Sequence, residues 1–299
     1  MTTAAYAVRQ LDYTFQLGQG DFGAGGFTTL TPPSGLRSEV HIEFANTPTV
    51  GMLHARIYGL SLDHMNQISK AGLVYAARRN LIQVRAGDSV SGMTTVFSGA
   101  ILEAYPDMAS QPSTPLVVIA TPTNLLQVAP ADPVSFSGPT NATTALGAIL
   151  APAGVTLENN GVNGVLSSPY FPGSTWDQTL SCVRALGCYA HYDGISNTLA
   201  IWPKDGARSG EPTVISPARG LINYPSFQAQ QIIFRVIFDP GIMPFAGSPG
   251  RRVNMQSGLV AADGLLKILA VDFDLSAQLV DGPWEMTVTT VPVNQSVTS

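Results

Sequence analysis

The sequence predicts a mainly β protein of the α+β kind, with an antiparallel β-barrel at each end and an α+β region inserted between them. Three observations carry this reading. Single-residue alternation of apolar and polar side chains fills the first third of the chain, and the same alternation returns in the last third. Between them the chain loses almost all its charge and takes on helical spacing with recognisable caps. At 299 residues there is room for two domains or more, each able to bury a core.

In the first third, Leu11, Tyr13, Phe15 and Leu17 alternate with Asp12, Thr14 and Gln16. Val40, Ile42 and Phe44 alternate with His41 and Glu43, and Leu53, Ala55 and Ile57 with His54 and Arg56. Ile82, Val84 and Ala86 do so with Gln83 and Arg85, and Thr95–Glu103 and Leu116–Thr121 add two more strands. Each pattern places one face in a core and one outside. Leu62–Ser69, following Gly59-Leu60-Ser61, reads as one short helix. Six strands and a helix over residues 1–122 suit a closed or nearly closed barrel.

The middle, residues 123–206, differs in kind. From Met108 to Trp176 the only charged residues are Asp132 and Glu158. Asn141 is placed to cap a helix carrying Leu146, Ile149 and Leu150, which ends near Pro152. Ser174, with Asp177 three residues on, forms an acidic capping box for a second helix. That helix carries Trp176, Leu180, Val183 and Arg184 on amphipathic spacing and ends at Gly187. Glu158–Val162 reads as a turn, and His191–Asp193 and Thr198–Trp202 as a hairpin.

Residues 207–299 return to strands. Ile232–Phe238 is apolar on both faces except at Arg235, which predicts a covered strand. Leu269, Val271, Phe273 and Leu275 alternate with Ala270, Asp272 and Asp274, and Trp284–Val291 is β-rich up to Pro292. These strands suffice for a second barrel. The polar tail Asn294–Ser299 is expected to fray.

Composition narrows the function. Charged residues make up 12% of the chain, about half the usual share, and the net charge is −5. That balance argues against a protein that grips nucleic acid. No apolar run approaches the ~18 residues of a membrane span, so membrane insertion is not expected. The start MTTAAYAVRQLDYTF lacks the pattern of a signal peptide, so the chain should stay in the cytoplasm that makes it. Twelve Arg stand against three Lys, with doublets at Arg78-Arg79 and Arg251-Arg252. Two readings of that excess stand side by side: interface use, for which Arg is better suited than Lys, or a compositional bias of the genome.

Candidate chemistry is sparse. Gly18-Gln-Gly20-Asp-Phe-Gly23 matches a dinucleotide fingerprint, but Ala24-Gly-Gly-Phe-Thr-Thr and Pro32-Pro33 follow where a helix would have to open. His41, His54, His64 and His191 form no zinc spacing, and the first three read as surface or interface residues. Asp272 and Asp274 share one strand face and read as solvated rather than as a glycosidase pair. Cys182 and Cys188, six apart in an expected helix, would lie about 9 Å apart and read as buried apolar residues. Trp176, Trp202 and Trp284 sit in core-like contexts. No catalytic, cofactor-binding or metal-binding residue is assigned.

Ser34-Gly-Leu-Arg-Ser-Glu-Val-His-Ile-Glu-Phe44, followed by Ala55-Arg-Ile-Tyr-Gly-Leu-Ser-Leu-Asp-His-Met-Asn-Gln-Ile-Ser69, resembles the baseplate hub proteins of contractile-tailed bacteriophages. Glu158–Val162, Pro169-Tyr-Phe-Pro-Gly173, Asp263–Leu275 and Gly282-Pro-Trp-Glu-Met286 extend the resemblance over nearly the whole chain. It implies two tube-type antiparallel β-barrels per subunit and a homotrimer whose six barrels form a ring. It is similar also to the hub part of type VI secretion spikes. The implied role is structural, in the virion tail baseplate, and adapts a threefold central spike to a sixfold tail tube. The implied partners are the trimeric spike, the hexameric tail tube protein, other baseplate proteins and the tape measure protein. No enzyme activity and no cofactor are implied. A tail-associated cell-wall hydrolase is the alternative. Within such a ring, Asp272 and Asp274 are candidates for an acidic channel wall that lets DNA slide.

Overall fold

The computed structural model describes residues 7–18, 27–47, 50–69, 80–241 and 248–293. Alternation in the first third becomes strand throughout: β1 (Arg9–Gly18), β2 (Phe27–Leu30), β3 (Ser38–Ala45), β4 (Met52–Ile57), β5 (Leu81–Asp88), β6 (Gly92–Pro106) and β7 (Leu116–Thr121). Leu11, Tyr13, Phe15 and Leu17 are all buried on one face of β1, and Val40, Ile42 and Phe44 on one face of β3. The four-residue β2 has no counterpart among the strands expected from alternation. Helix α1 (Leu62–Ser69) stands where its spacing placed it and buries Met65 and Ile68. The Ser61 hydroxyl accepts from the His64 N–H at 3.2 Å and so caps its start.

The middle carries α2 (Asn124–Val128), β8 (Val134–Ser135), β9 (Pro139–Asn141), α3 (Ala142–Leu150), β10 (Thr156–Asn159), β11 (Val165–Ser167), β12 (Tyr170–Phe171), α4 (Thr175–Leu186), β13 (Tyr189–Asp193) and β14 (Thr198–Trp202). Asn141 stands at the α3 N-cap, but its side chain makes no capping bond. The Ser174–Asp177 capping box on α4 forms in both directions, and Gly187 ends the helix in the left-handed conformation at φ 63°. Cys188 therefore lies beyond the helix, not in it as expected. The Glu158–Val162 segment begins as strand, with Glu158 and Asn159 inside β10. Strands β10, β14 and β13 form a small sheet under α3 and α4, and Trp176, Leu146, Ile149 and Leu199 help fill its own core.

The last third contributes β15 (Thr213–Ile215), β16 (Leu221–Gln228), β17 (Gln231–Ile237), β18 (Arg252–Met255), β19 (Gly264–Ala277) and β20 (Trp284–Pro292). Two expectations change here. β17 is covered on one face only: Ile232, Phe234 and Val236 are buried, but Ile237 is 49% exposed. An antiparallel sheet can leave one face to solvent, and the apolar residues on the outer side of β17 meet it there. Leu269 is only partly buried, because a bulge between Ile268 and Ala270 breaks the alternation; Ile268 faces the core before it and Val271, Phe273 and Leu275 after it.

The two ends are one sheet. Hydrogen-bonded order runs β16-β17-β20-β19-β3-β4-β7-β6-β5-β1-β2, with β18 also on β19 and β15 on β18. Among the described residues no ladder closes either end into a separate barrel. The reason lies in β3, whose two edges are both occupied, one by β4 and one by Ala270–Ala277 of β19. One continuous core, from Leu11 to Val288, therefore serves both ends of the chain.

The middle region docks on this sheet through backbone and small residues. The Thr47 N–H donates to the Ala190 carbonyl at 2.9 Å, and the Ala190 N–H to the Thr47 hydroxyl at 3.0 Å. Gly194, in the β13–β14 turn, approaches the Ser98 carbonyl of β6 so closely that a Cβ there would overlap it.

Candidate functional site

The polar residues singled out in the sequence gather mainly where β3 meets β19. Register places Asp274 opposite His41 and Asp272 opposite Glu43, and His41 opposite His54 of β4. Directly opposed residues share a face, so all of these lie on the outer face of the sheet. Asp272 and Asp274 are thus on one face, as the alternation required. His41 Nδ1 lies 2.8 Å from Asp274 Oδ1, and its Nε2 lies 3.1 Å from Glu43 Oε1. Burial pulls the His41 imidazolium down, but hydrogen bonds to Asp274 and Glu43, and then their charges, outweigh it; its pKa is raised above the ordinary value. The Asp272 carboxyl is also pushed up, first by burial and then by the charge of Glu43, against the opposing pull of His41.

Beside this row runs a groove of 390 Å³, lined among others by His41, His54, Arg56, Tyr105, Ile119 and Asp274. Arg56 reaches Asp107 at 3.2 Å across one wall. Among the described residues no set of three or more His, Cys, Asp and Glu is arranged to hold a metal ion.

The other candidates have structural work. Arg251 and Arg252 donate to the carbonyls of Ser209 and Gly210, so this doublet holds the 209–210 segment. His191 is buried edge-on against Phe44 at 5.9 Å, and its pKa is lowered to about 4, first by burial and then by the charge of Arg208. Cys182 and Cys188 are free and buried, and burial pushes the Cys182 thiol up to about 12. Trp176, Trp202 and Trp284 are all buried. His64 lies on α1, away from this cluster. The Gly18–Gly23 loop beyond Gly18, Arg78-Arg79 and the tail Asn294–Ser299 lie outside the described residues.

Sequence reasoning missed the central ion pair. Arg208, 5% exposed, donates from Nη2 and Nε to the two carboxylate oxygens of Glu158 at 2.6 and 3.1 Å. Its Nη1 donates to the Ser248 hydroxyl at 2.7 Å. Nearby, the buried Lys267 ammonium of β19 donates to the carbonyls of Lys204 and Gly206 at 2.8 and 2.9 Å. These bonds fasten the middle region to the last third. A signal did exist: Glu158 is one of just two charged residues between Met108 and Trp176, and a lone charge in such a stretch needs a partner.

No protein-family model matches the chain, and no curated protein matches it in sequence. Solved structures do match its fold. The 43 kDa tail protein of prophage MuSo2 from Shewanella oneidensis aligns with a TM-score of 0.58 at 12% identity, over 94% of this chain and 97% of that one. A tail protein from Neisseria meningitidis MC58 aligns at 0.59 and 10% identity, over 94% and 96%. A lidless PdpA–VgrG complex aligns at 0.55 and 9% identity, over 96% of this chain and 65% of that one. The chain therefore has the fold of phage tail proteins over nearly its whole length, shared with a VgrG-containing complex.

Proposed function

We propose that this chain is a structural protein of a phage-type contractile tail, the hub of its baseplate. The observation that supports the reading is that the fold match to two phage tail proteins spans almost all of both chains. In this reading residues 1–122 and 207–299 are the two tube-type units and 123–206 the insertion. Three copies form a ring that seats the trimeric spike on one side and meets the hexameric tube, other baseplate proteins and the tape measure protein on the other. The driving force is apolar burial between subunits, about 25 cal/mol per Å² gross and largely offset by association costs. The hub leaves with the spike and opens the tube on contraction. The chain is made in the host cytoplasm and works in the virion, without membrane insertion or tight nucleic-acid binding.

Native mass spectrometry of the chain co-expressed with its spike tests this directly. Three copies per complex, and a position at the tube–spike junction in particle images, are expected. A stable monomer at particle-like concentration, or lysis of purified peptidoglycan by the chain alone, would overturn it.

A further inference from the structure

His41 makes a pattern that a neutral imidazole cannot satisfy. Both of its ring nitrogens face carboxylate oxygens, at 2.8 Å from Asp274 and 3.1 Å from Glu43. A carboxylate accepts but does not donate when ionised, and a neutral imidazole has only one N–H. Only the doubly protonated ring donates to both. Its position is equally specific. The pairing of β3 with β19 is the ladder that joins the first-third strands to the last-third strands, and among the described residues no other ladder does so. The His41–Asp274 contact crosses that seam.

We propose that His41 is a proton-operated clamp on the seam between the two halves of the sheet. The groups facing it decide the sign. Glu39 and Glu43 lie on its own strand, Asp272 and Asp274 on β19, and Glu285 of β20 stands opposite Asp274. On β4, His54 is directly opposed and Arg56 follows, but Arg56 is engaged with Asp107. Arg235 of β17 is engaged with Glu285 at 3.0 Å. Protonated His41 is therefore the cation held between Glu43 and Asp274. When it loses its proton, one carboxylate loses its donor, and the acids Glu43, Asp272 and Asp274 are left to repel one another across the seam.

The raised imidazole pKa agrees in direction. A group held at a higher pKa in the folded state contributes stability that is complete below the unfolded value of about 6.5 and is lost as pH rises through the folded value. The seam tightens on acidification and loosens toward alkaline pH. His41 and Asp274 are each about two-fifths exposed, so the effect is that of a half-solvated pair.

Amide hydrogen exchange of the full chain at pH 6 and pH 8, corrected for intrinsic rates, tests the clamp. Exchange along β3 and β19 should quicken about threefold at pH 8, while β5 and β6 stay unchanged. His41→Gln, on the outer face and away from the core, should abolish that difference. An imidazole NMR titration gives a second readout: the His41 midpoint should lie above the ordinary value in the native chain and fall in Asp274→Asn. Seam exchange that ignores pH, a His41→Gln chain that keeps the full pH response, or a His41 midpoint unmoved by Asp274→Asn would each overturn the proposal.

Discussion

Replacing Glu158 with Met removes the acceptor that holds Arg208, and the surroundings of each partner set the cost. The Arg208 guanidinium is 5% exposed and cannot shed its proton, so without Glu158 it is left as a buried charge with the Ser248 hydroxyl and the Pro249 carbonyl for company. Breaking a buried pair in this way costs about 3–5 kcal/mol. We take about 3 kcal/mol for Glu158→Met, because neutral acceptors stay in place. Arg208→Met should be milder, about 2 kcal/mol: Glu158 is 29% exposed and still accepts from the Asn160 amide at 2.9 Å. The double variant has no unpaired charge and should lose only about 2 kcal/mol, which is a coupling energy of about 3 kcal/mol. Urea unfolding followed by the emission of the buried Trp176 and Trp202 measures all four chains. Additive losses, or a double variant worse than Glu158→Met, would refute the argument. The pH profile adds a sign. Burial alone would raise the Glu158 carboxyl, but bonds from Arg208 and Asn160 and the charges of Arg208 and Arg251 hold it below its usual value. Its contribution is full above the ordinary carboxylate range and is lost as pH falls through the depressed value; Arg208→Met should weaken that acid dependence, with the Asn160 bond and the Arg251 charge left to hold the rest.

Four further outcomes are expected. Gly250→Ala should cost about 3 kcal/mol in thermal unfolding, since φ is +82° and a Cβ would lie 2.6 Å from the Trp202 ring; a loss under about 1 kcal/mol would contradict that packing. Ser174→Ala should cost about 1 kcal/mol in urea by opening the α4 capping box, and an unchanged midpoint would show the cap to be idle. His191, held neutral with its pKa lowered to about 4, stabilises the fold above the unfolded value of about 6.5; up to about 3 kcal/mol should be lost between there and pH 4, and His191→Asn should flatten that part of the profile. Cys182, with its thiol pushed up to about 12, should react with a disulfide reagent at neutral pH only on unfolding, whereas rapid labelling of the native chain would place it at the surface.

Local periodicity carried most of the strands, because a half-buried strand must repeat every second residue. Leu11 to Leu17 and Leu116 to Thr121 could be read directly, and Leu62–Ser69 and the Ser174–Asp177 cap are equally local signals. The reading failed where the neighbour mattered more than the pattern. Ile232–Phe238 looks covered, yet Ile237 faces solvent on the outer side of β17. Leu269 fits the alternation and is still displaced by a bulge.

The candidate site was legible only as residue types. Alternation placed His41, Asp272 and Asp274 on strand faces but held no information on which strands would be neighbours. His41 and Asp274 are 233 positions apart, and Glu158 and Arg208 are 50 apart. Alternation, caps and glycines act over a few residues, and those the chain states in its own order. The meeting of β3 with β19 spends both edges of β3, leaves no ladder closing a first barrel among the described residues and brings His41 between two carboxylates; it is settled only when distant strands compete for the same edge and the same core.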